Sequence, residues 1–319
     1  NDLGFIFFNK ISSIRKVFSD LGIKATQIQI VGTFSDARDF IKKNKTQIVL
    51  AQDFIDNDGC EEFLIENVAL NPDRSNQLFF VLASERRHAL ISLLEEKYID
   101  IIFYKPITVE GLTETISDLL VKKIKLQQNE FYKQYWRLQK DLKNENLETL
   151  IGLIPEFRLE NPDSVEAIYL EGLFYEKQGL KDEALDRYNE ILVMDPSHIL
   201  CLKHLFDIYY NKEDFINTSK IGKLIIDKFT IHPNRIQSLI KSLIITKDFD
   251  GIISISKKYL TEDMEDTRLE RTLAASLAIA GKSGYLRASI HLFRELTHVS
   301  LKHARDNLNI TYMCLNNLL

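Results

Sequence analysis

The stretch Ser164 to Pro196, SVEAIYLEGLFYEKQGLKDEALDRYNEILVMDP, decides how most of this chain folds. Its apolar residues recur at helical spacing in two blocks, with Gly179 and Lys181-Asp182 at the turn between them. Gly172 and Tyr175 fall on the first block; Ala184, Tyr188 and Ile191 fall on the second, which Pro196 ends. The spacing predicts two short helices packed against each other. Small residues at Gly172 and Ala184 let the helices approach closely, and Tyr175 and Tyr188 fill the space around them. One such pair cannot bury its own apolar face, so neighbours are expected to stack on it.

These glycine, tyrosine, alanine, aromatic and terminal proline positions resemble the tetratricopeptide repeat, a helix pair of about 34 residues. One position departs: Glu171 stands where the family has a leucine before the glycine. Further, more divergent pairs surround this one. Phe131 to Lys143 and Leu147 to Leu159, ended by Pro162, precede it. Ile199 to Phe229 follows, then Asn234 to Thr246 with Phe249 to Leu260, then Leu269 to Ala280 with Tyr285 to Leu296. Leu301 to Leu318 reads as a terminal capping helix. The resemblance implies an all-α solenoid that binds a protein along a surface lined by the first helix of each pair. Carried over, the lining residues would be Tyr169, Leu173, Glu176 and Lys177, then Lys203, Asp207, Tyr210 and Asn211, then Gln237, Lys241 and Ile244. Some members clamp a peptide's terminal carboxylate with a Lys/Asn set. That set is missing here, and Asp207 at its asparagine position would repel a carboxylate.

The first 125 residues read differently. Short apolar runs at Gly4–Phe8, Ile28–Val31, Gln47–Ala51, Leu78–Ala83 and Asp100–Tyr104 alternate with helical spacing. The helices are expected at Ile11–Leu21, Ser35–Lys43 (with Ser35 as N-cap), Cys60–Val68, Arg87–Glu96 and after Thr108. Near-continuously apolar strands alternating with helices predict a parallel sheet covered on both faces. Five such units give a flavodoxin-like α/β fold, with its functional crevice at the carboxyl ends of the strands.

Lys105-Pro106 at the end of the fifth strand, KTQIVLAQ at residues 45–52 and Gly59 beyond it resemble the receiver domain of bacterial response regulators, over roughly Leu3 to Lys122. That family binds magnesium through an acidic pair after strand one. It accepts phosphate on an aspartate closing strand three, and uses a hydroxyl after strand four and the lysine after strand five. Carried over, these positions fall on Asn9 and Lys10, Gln52, Leu82 and Lys105, of which only the lysine is intact. An amide at Gln52 is not a nucleophile for phosphoryl transfer, and Lys10 puts a positive charge where the cation should sit. The expectation is a degenerate receiver without metal, cofactor or phosphoacceptor. Asp53 is the alternative phosphoacceptor, brought in by a one-residue register shift. In the emptied pocket Lys105 would bond Gln52, Asn9 or a backbone carbonyl, and Lys105-Pro106 permits a cis peptide.

From Leu112 to Asn144 there is no glycine or proline, and apolar steps of three and four predict one long helix or two nearly continuous ones. The expected organisation is a receiver-like domain at 1–124, a helical connector at 125–145 merging into the first repeat, and a repeat array at 130–319. Trp136, in the first pair, is expected in the core.

Composition narrows the function classes. A net charge of −5 over 319 residues gives no basic footprint for nucleic acid. No apolar run is long enough to span a membrane, and no signal peptide is expected from the first residues. Cys60, Cys201 and Cys314 lack paired spacing and fit free thiols in a reducing cytoplasm. His291, His298 and His303 do not form an HExxH, and phosphate-binding or nucleophile-elbow motifs are missing. The sequence therefore points to a non-enzymatic, cytoplasmic bacterial signalling adaptor. Its expected partners are proteins, two-component or other signalling proteins among them, rather than nucleic acid or membrane; a homodimer stays open. The alternative is a phosphorylatable response regulator whose repeats are its protein-binding output.

Overall fold

A computed structural model describes residues 4–8, 12–43, 46–55, 58–70, 77–84, 88–95, 98–144, 147–229, 233–260 and 267–302. The chain is mostly helical, with a parallel sheet in its first third and, among the described residues, helices alone after it. It divides into two compact units, Asn1–Pro196 and Ser197–Leu319.

The first unit begins with β1 (Gly4–Phe8), α1 (Ser12–Asp20), β2 (Ile28–Val31), α2 (Phe34–Lys43) and β3 (Thr46–Gln52). A short antiparallel pair follows, β4 (Phe54–Ile55) with β5 (Asp58–Gly59). Then come α3 (Glu61–Leu70), β6 (Leu78–Ala83), α4 (His88–Glu95), β7 (Ile101–Tyr104) and α5 (Val109–Gln128). The strands of the main sheet lie in the order β2-β1-β3-β6-β7 and every neighbouring pair is parallel.

Side-chain alternation explains why these strands read as unbroken apolar runs. Ile48, Leu50, Leu78, Phe80 and Leu82 face Val17 and Phe18 of α1 and Leu112 and Ile116 of α5. The residues between them, Val49, Ala51, Phe79, Val81 and Ala83, face Phe34, Phe63 and Leu90 of α2, α3 and α4. The N-cap of α2 is Thr33 rather than Ser35. Its hydroxyl accepts the Asp36 N–H at 3.1 Å and donates to the Asp36 carboxylate at 2.8 Å, closing the cap from both sides.

The connector is two helices, α5 and α6 (Glu130–Lys143), broken at Asn129 alone. Asn129 serves both ends: its N–H donates to the Leu126 carbonyl and its side chain accepts from the Phe131 N–H. Ile124 is exposed, so the apolar stripe expected along the connector does not stay buried. Past the break, α7 (Leu147–Glu160), α8 (Val165–Lys177) and α9 (Lys181–Met194) complete the first unit. Trp136 packs partly buried against their core, with the Lys123 ammonium 5.5 Å from its ring centre.

The second unit holds α10 (Ile199–Asn211), α11 (Phe215–Lys228), α12 (Pro233–Ile245), α13 (Phe249–Leu260), α14 (Thr267–Ala280) and α15 (Leu286–Lys302). Leu301 and Lys302 continue α15, and the remainder of the expected capping helix lies outside the described residues.

One turn recurs with a fixed period. Gly179, Glu213 and Lys247 all take positive φ and stand 34 residues apart in sequence. Around each, the same three backbone bonds form: Gln178, Lys212 and Thr246 donate four residues back. Gly179, Glu213 and Lys247 donate three back, and Leu180, Asp214 and Asp248 donate five back. This closure satisfies the last carbonyls of α8, α10 and α12 before α9, α11 and α13 begin. The next interval lands on Gly281, where the backbone enters a π-helical turn and Gly284 takes the positive φ instead.

Candidate functional site

Two places collect the residues singled out by sequence. The first is the carboxyl end of the sheet. β3 ends at Gln52, which stands opposite Leu82 of β6. Leu82 belongs to the core beside α1 and α5, so it lines no crevice. Gln52 has the parity of Leu50 and is buried. The next residue changes the picture. Asp53 donates its N–H to the Leu82 carbonyl at 3.1 Å, and its carbonyl accepts from Cys60 at 3.0 Å. Its carboxylate accepts the Ser84 N–H at 2.8 Å, and the residue is 4% exposed. The Lys105 ammonium in turn donates to the Ser84 hydroxyl at 3.4 Å. The structure thus brings Asp53, Ser84 and Lys105 to the ends of β3, β6 and β7. No register slip is needed, because Asp53 simply follows the last strand residue.

Ser84 was missed from sequence. The hydroxyl position carried over from the resemblance, Leu82, falls two residues early, and the signal that finds Ser84 is the parallel register that ties Ala83 to Tyr104. The Lys105-Pro106 peptide is cis. Asn9 and Lys10 lie outside the described residues.

The second place is the set of first helices of the pairs. On α8, Tyr169 is not a lining residue. It is 7% exposed and its ring packs 6.0 Å from that of Tyr188. Leu173 packs against the core of α6 to α8. Glu176 accepts a 2.8 Å hydrogen bond from the Tyr188 hydroxyl, and Lys177 is exposed.

Within the second unit, Lys203 of α10 is half-buried and Asn211 exposed. Asp207 is held by Arg235 of α12 through two bonds, at 3.2 and 2.8 Å. Its charge is therefore matched, which the sequence reading did not foresee. Tyr210 stacks on Phe206 and meets Phe215 edge-on. The Lys241 ammonium lies 5.5 Å from the Tyr210 ring centre and 5.9 Å from that of Phe215.

Gln237, Lys241 and Ile244 line a groove of about 520 Å³ between α12 and α14. Ile240 and Ile245 complete its α12 side, and Arg271, Thr272, Ala275, Ser276 and Ile279 form the other. Sequence reading stopped at α12, although Arg271 and Ala275 stand one period of 34 beyond Gln237 and Lys241.

Charged pairs elsewhere are structural. In the first unit, the buried Glu171 carboxylate sits 3.7 Å from both Arg158 and Arg187, and Glu190 joins each arginine more closely, at 2.7 and 2.9 Å. Tyr175 donates to Glu171, and burial followed by that neighbouring carboxylate raises its phenol pKa. At the turn into α13, burial pushes the Asp248 carboxyl up, but Lys223 and the Gly251 N–H together hold it below its ordinary value.

Among the described residues, no helix is long and apolar enough to cross a membrane. No protein-family model matches the chain, and no curated protein matches it in sequence.

Proposed function

We propose that the chain is a non-enzymatic bacterial signalling adaptor of the cytoplasm. Its sheet-bearing part acts as a receiver-like domain that works without phosphorylation, and its helix pairs act as a tetratricopeptide-like array that holds a protein partner. The observation that carries this reading is the surroundings of Asp53. Its carboxylate is buried and engaged by the Ser84 N–H, while the two residues after β1 are Asn9 and Lys10. Phosphoryl transfer to a carboxylate needs a cation to neutralise the transferred oxygens, and an amide and an ammonium give it no anionic ligands. The recurring turn at Gly179, Glu213 and Lys247 supports the repeat half of the reading.

A pull-down compares the full chain with residues 131–319. The reading expects one protein retained by both and a second interaction lost with the sheet. Capture of nothing specific by either would count against it.

A second reading is favoured by one observation, the convergence of Asp53, Ser84 and Lys105 at three strand ends. In that reading Asp53 accepts phosphate and the array is the output. An Asp53→Asn variant that abolished a measured phosphorylation would support it.

A further inference from the structure

We propose that the groove between α12 and α14 docks an acidic amphipathic helix from a partner protein. The proposal rests on reading the helical part as a partner-binding array and names the chemistry of what it binds. Helix α12 is apolar on more than its core side. Ile236, Leu239, Ile240 and Leu243 are fully buried, yet Ile244 and Ile245 continue the apolar surface out into the groove.

Ile245 and, across from it, Ile279 are large, exposed side chains. With the half-buried Ile244 they make an apolar floor open to solvent, laid over the buried Ile240. An apolar floor between two helices accepts the i, i+3, i+4, i+7 face of an amphipathic helix.

Charge selects among helices. Lys241 and Arg271 stand at the two sides of the groove, and none of its lining residues is acidic. The nearby Asp207 is neutralised by Arg235, so it does not offset them. The Lys241 head is held near the Tyr210 and Phe215 rings rather than by a carboxylate. A net negative chain that places two cations, with no ion pair among the described residues, beside exposed isoleucines presents the complement of a helix with leucines on one face and glutamates flanking it.

The test uses the full chain and two labelled synthetic peptides followed by fluorescence anisotropy. One carries leucines at i, i+3, i+4 and i+7 flanked by glutamates; the other has lysine at every glutamate. The expected result is saturable binding of the acidic peptide that weakens with added salt, and little binding of the basic one. The Lys241→Glu/Arg271→Glu variant should lose about tenfold or more in affinity for the acidic peptide and reverse the preference. Both residues are exposed, so circular dichroism should stay unchanged.

Equal binding of both peptides, no saturable binding, or displacement of the peptide by an equal concentration of single-stranded DNA would overturn the proposal. If a protein captured in the pull-down binds the double variant as well as the parent, the groove proposal fails and the array reading stands.

Discussion

At Gly172 an added Cβ would lie 2.6 Å from Cε1 of Tyr188 and 3.1 Å from its Cδ1. The ring cannot swing away freely, because it is fully buried and its hydroxyl is tied to Glu176. Gly172→Ala is therefore expected to destabilise the fold by about 1–3 kcal/mol, despite alanine's better helix propensity. Urea unfolding should show a lower midpoint with an unchanged slope. Gly152 on α7 is the contrast, since a Cβ there meets nothing within 4 Å; Gly152→Ala should raise stability by up to ~1 kcal/mol.

Asp248 gives a pH prediction at the same scale. Its folded pKa lies below the ordinary 3.8, so its stabilising effect is present above that value and is lost as pH falls through the folded one. The melting-temperature gap between the parent and Asp248→Asn should be open at pH ~6 and narrow toward pH ~3. A gap that widened on acidification would contradict the Lys223 and Gly251 contacts as its source.

Among elements, the charged cluster joining α7, α8 and α9 explains the one departure from the repeat pattern. Glu171 replaces an apolar residue, but Arg158 from α7 and Arg187 from α9 bracket it. Arg158 also donates to the carbonyl of Pro162 beyond the end of its own helix. Arg158→Met alone should cost about 1–3 kcal/mol, because it leaves the buried Glu171 carboxylate with Arg187 as its one remaining arginine. The double variant Arg158→Met/Glu171→Leu should be less destabilised than the sum of the two singles by about 1 kcal/mol or more. Additive losses would mean that the two side chains do not depend on each other.

The same scale shows what could be read from sequence. Strand runs such as Leu78–Ala83 and the helix pair around Gly172 were legible, because each is set by local periodicity and by residues with one strong preference. The purpose of Glu171 was not, since its partners come from two other helices. The later turns were obscured because Glu213 and Lys247 hold the positive φ that Gly179 marks openly. The β4–β5 pair is too short to carry a pattern of its own.

For the molecule as a whole, the central question is whether the sheet-bearing part works without phosphorylation, as proposed. The crevice was legible in outline through Lys105, but its details were not: a residue's place at a strand end depends on register. That register puts Leu82 in the core and Ser84 beside Asp53 and Lys105. Because the Asp53 carboxylate lies at that strand end, buried and bonded to the Ser84 N–H, the proposal that this domain works without phosphorylation is sharply testable. The full chain would be incubated with acetyl phosphate and magnesium and its intact mass followed, with Asp53→Asn as control. The account predicts no added phosphoryl group and no change in the emission of Trp136. A stoichiometric phosphoryl adduct on the parent that is missing from Asp53→Asn would contradict it.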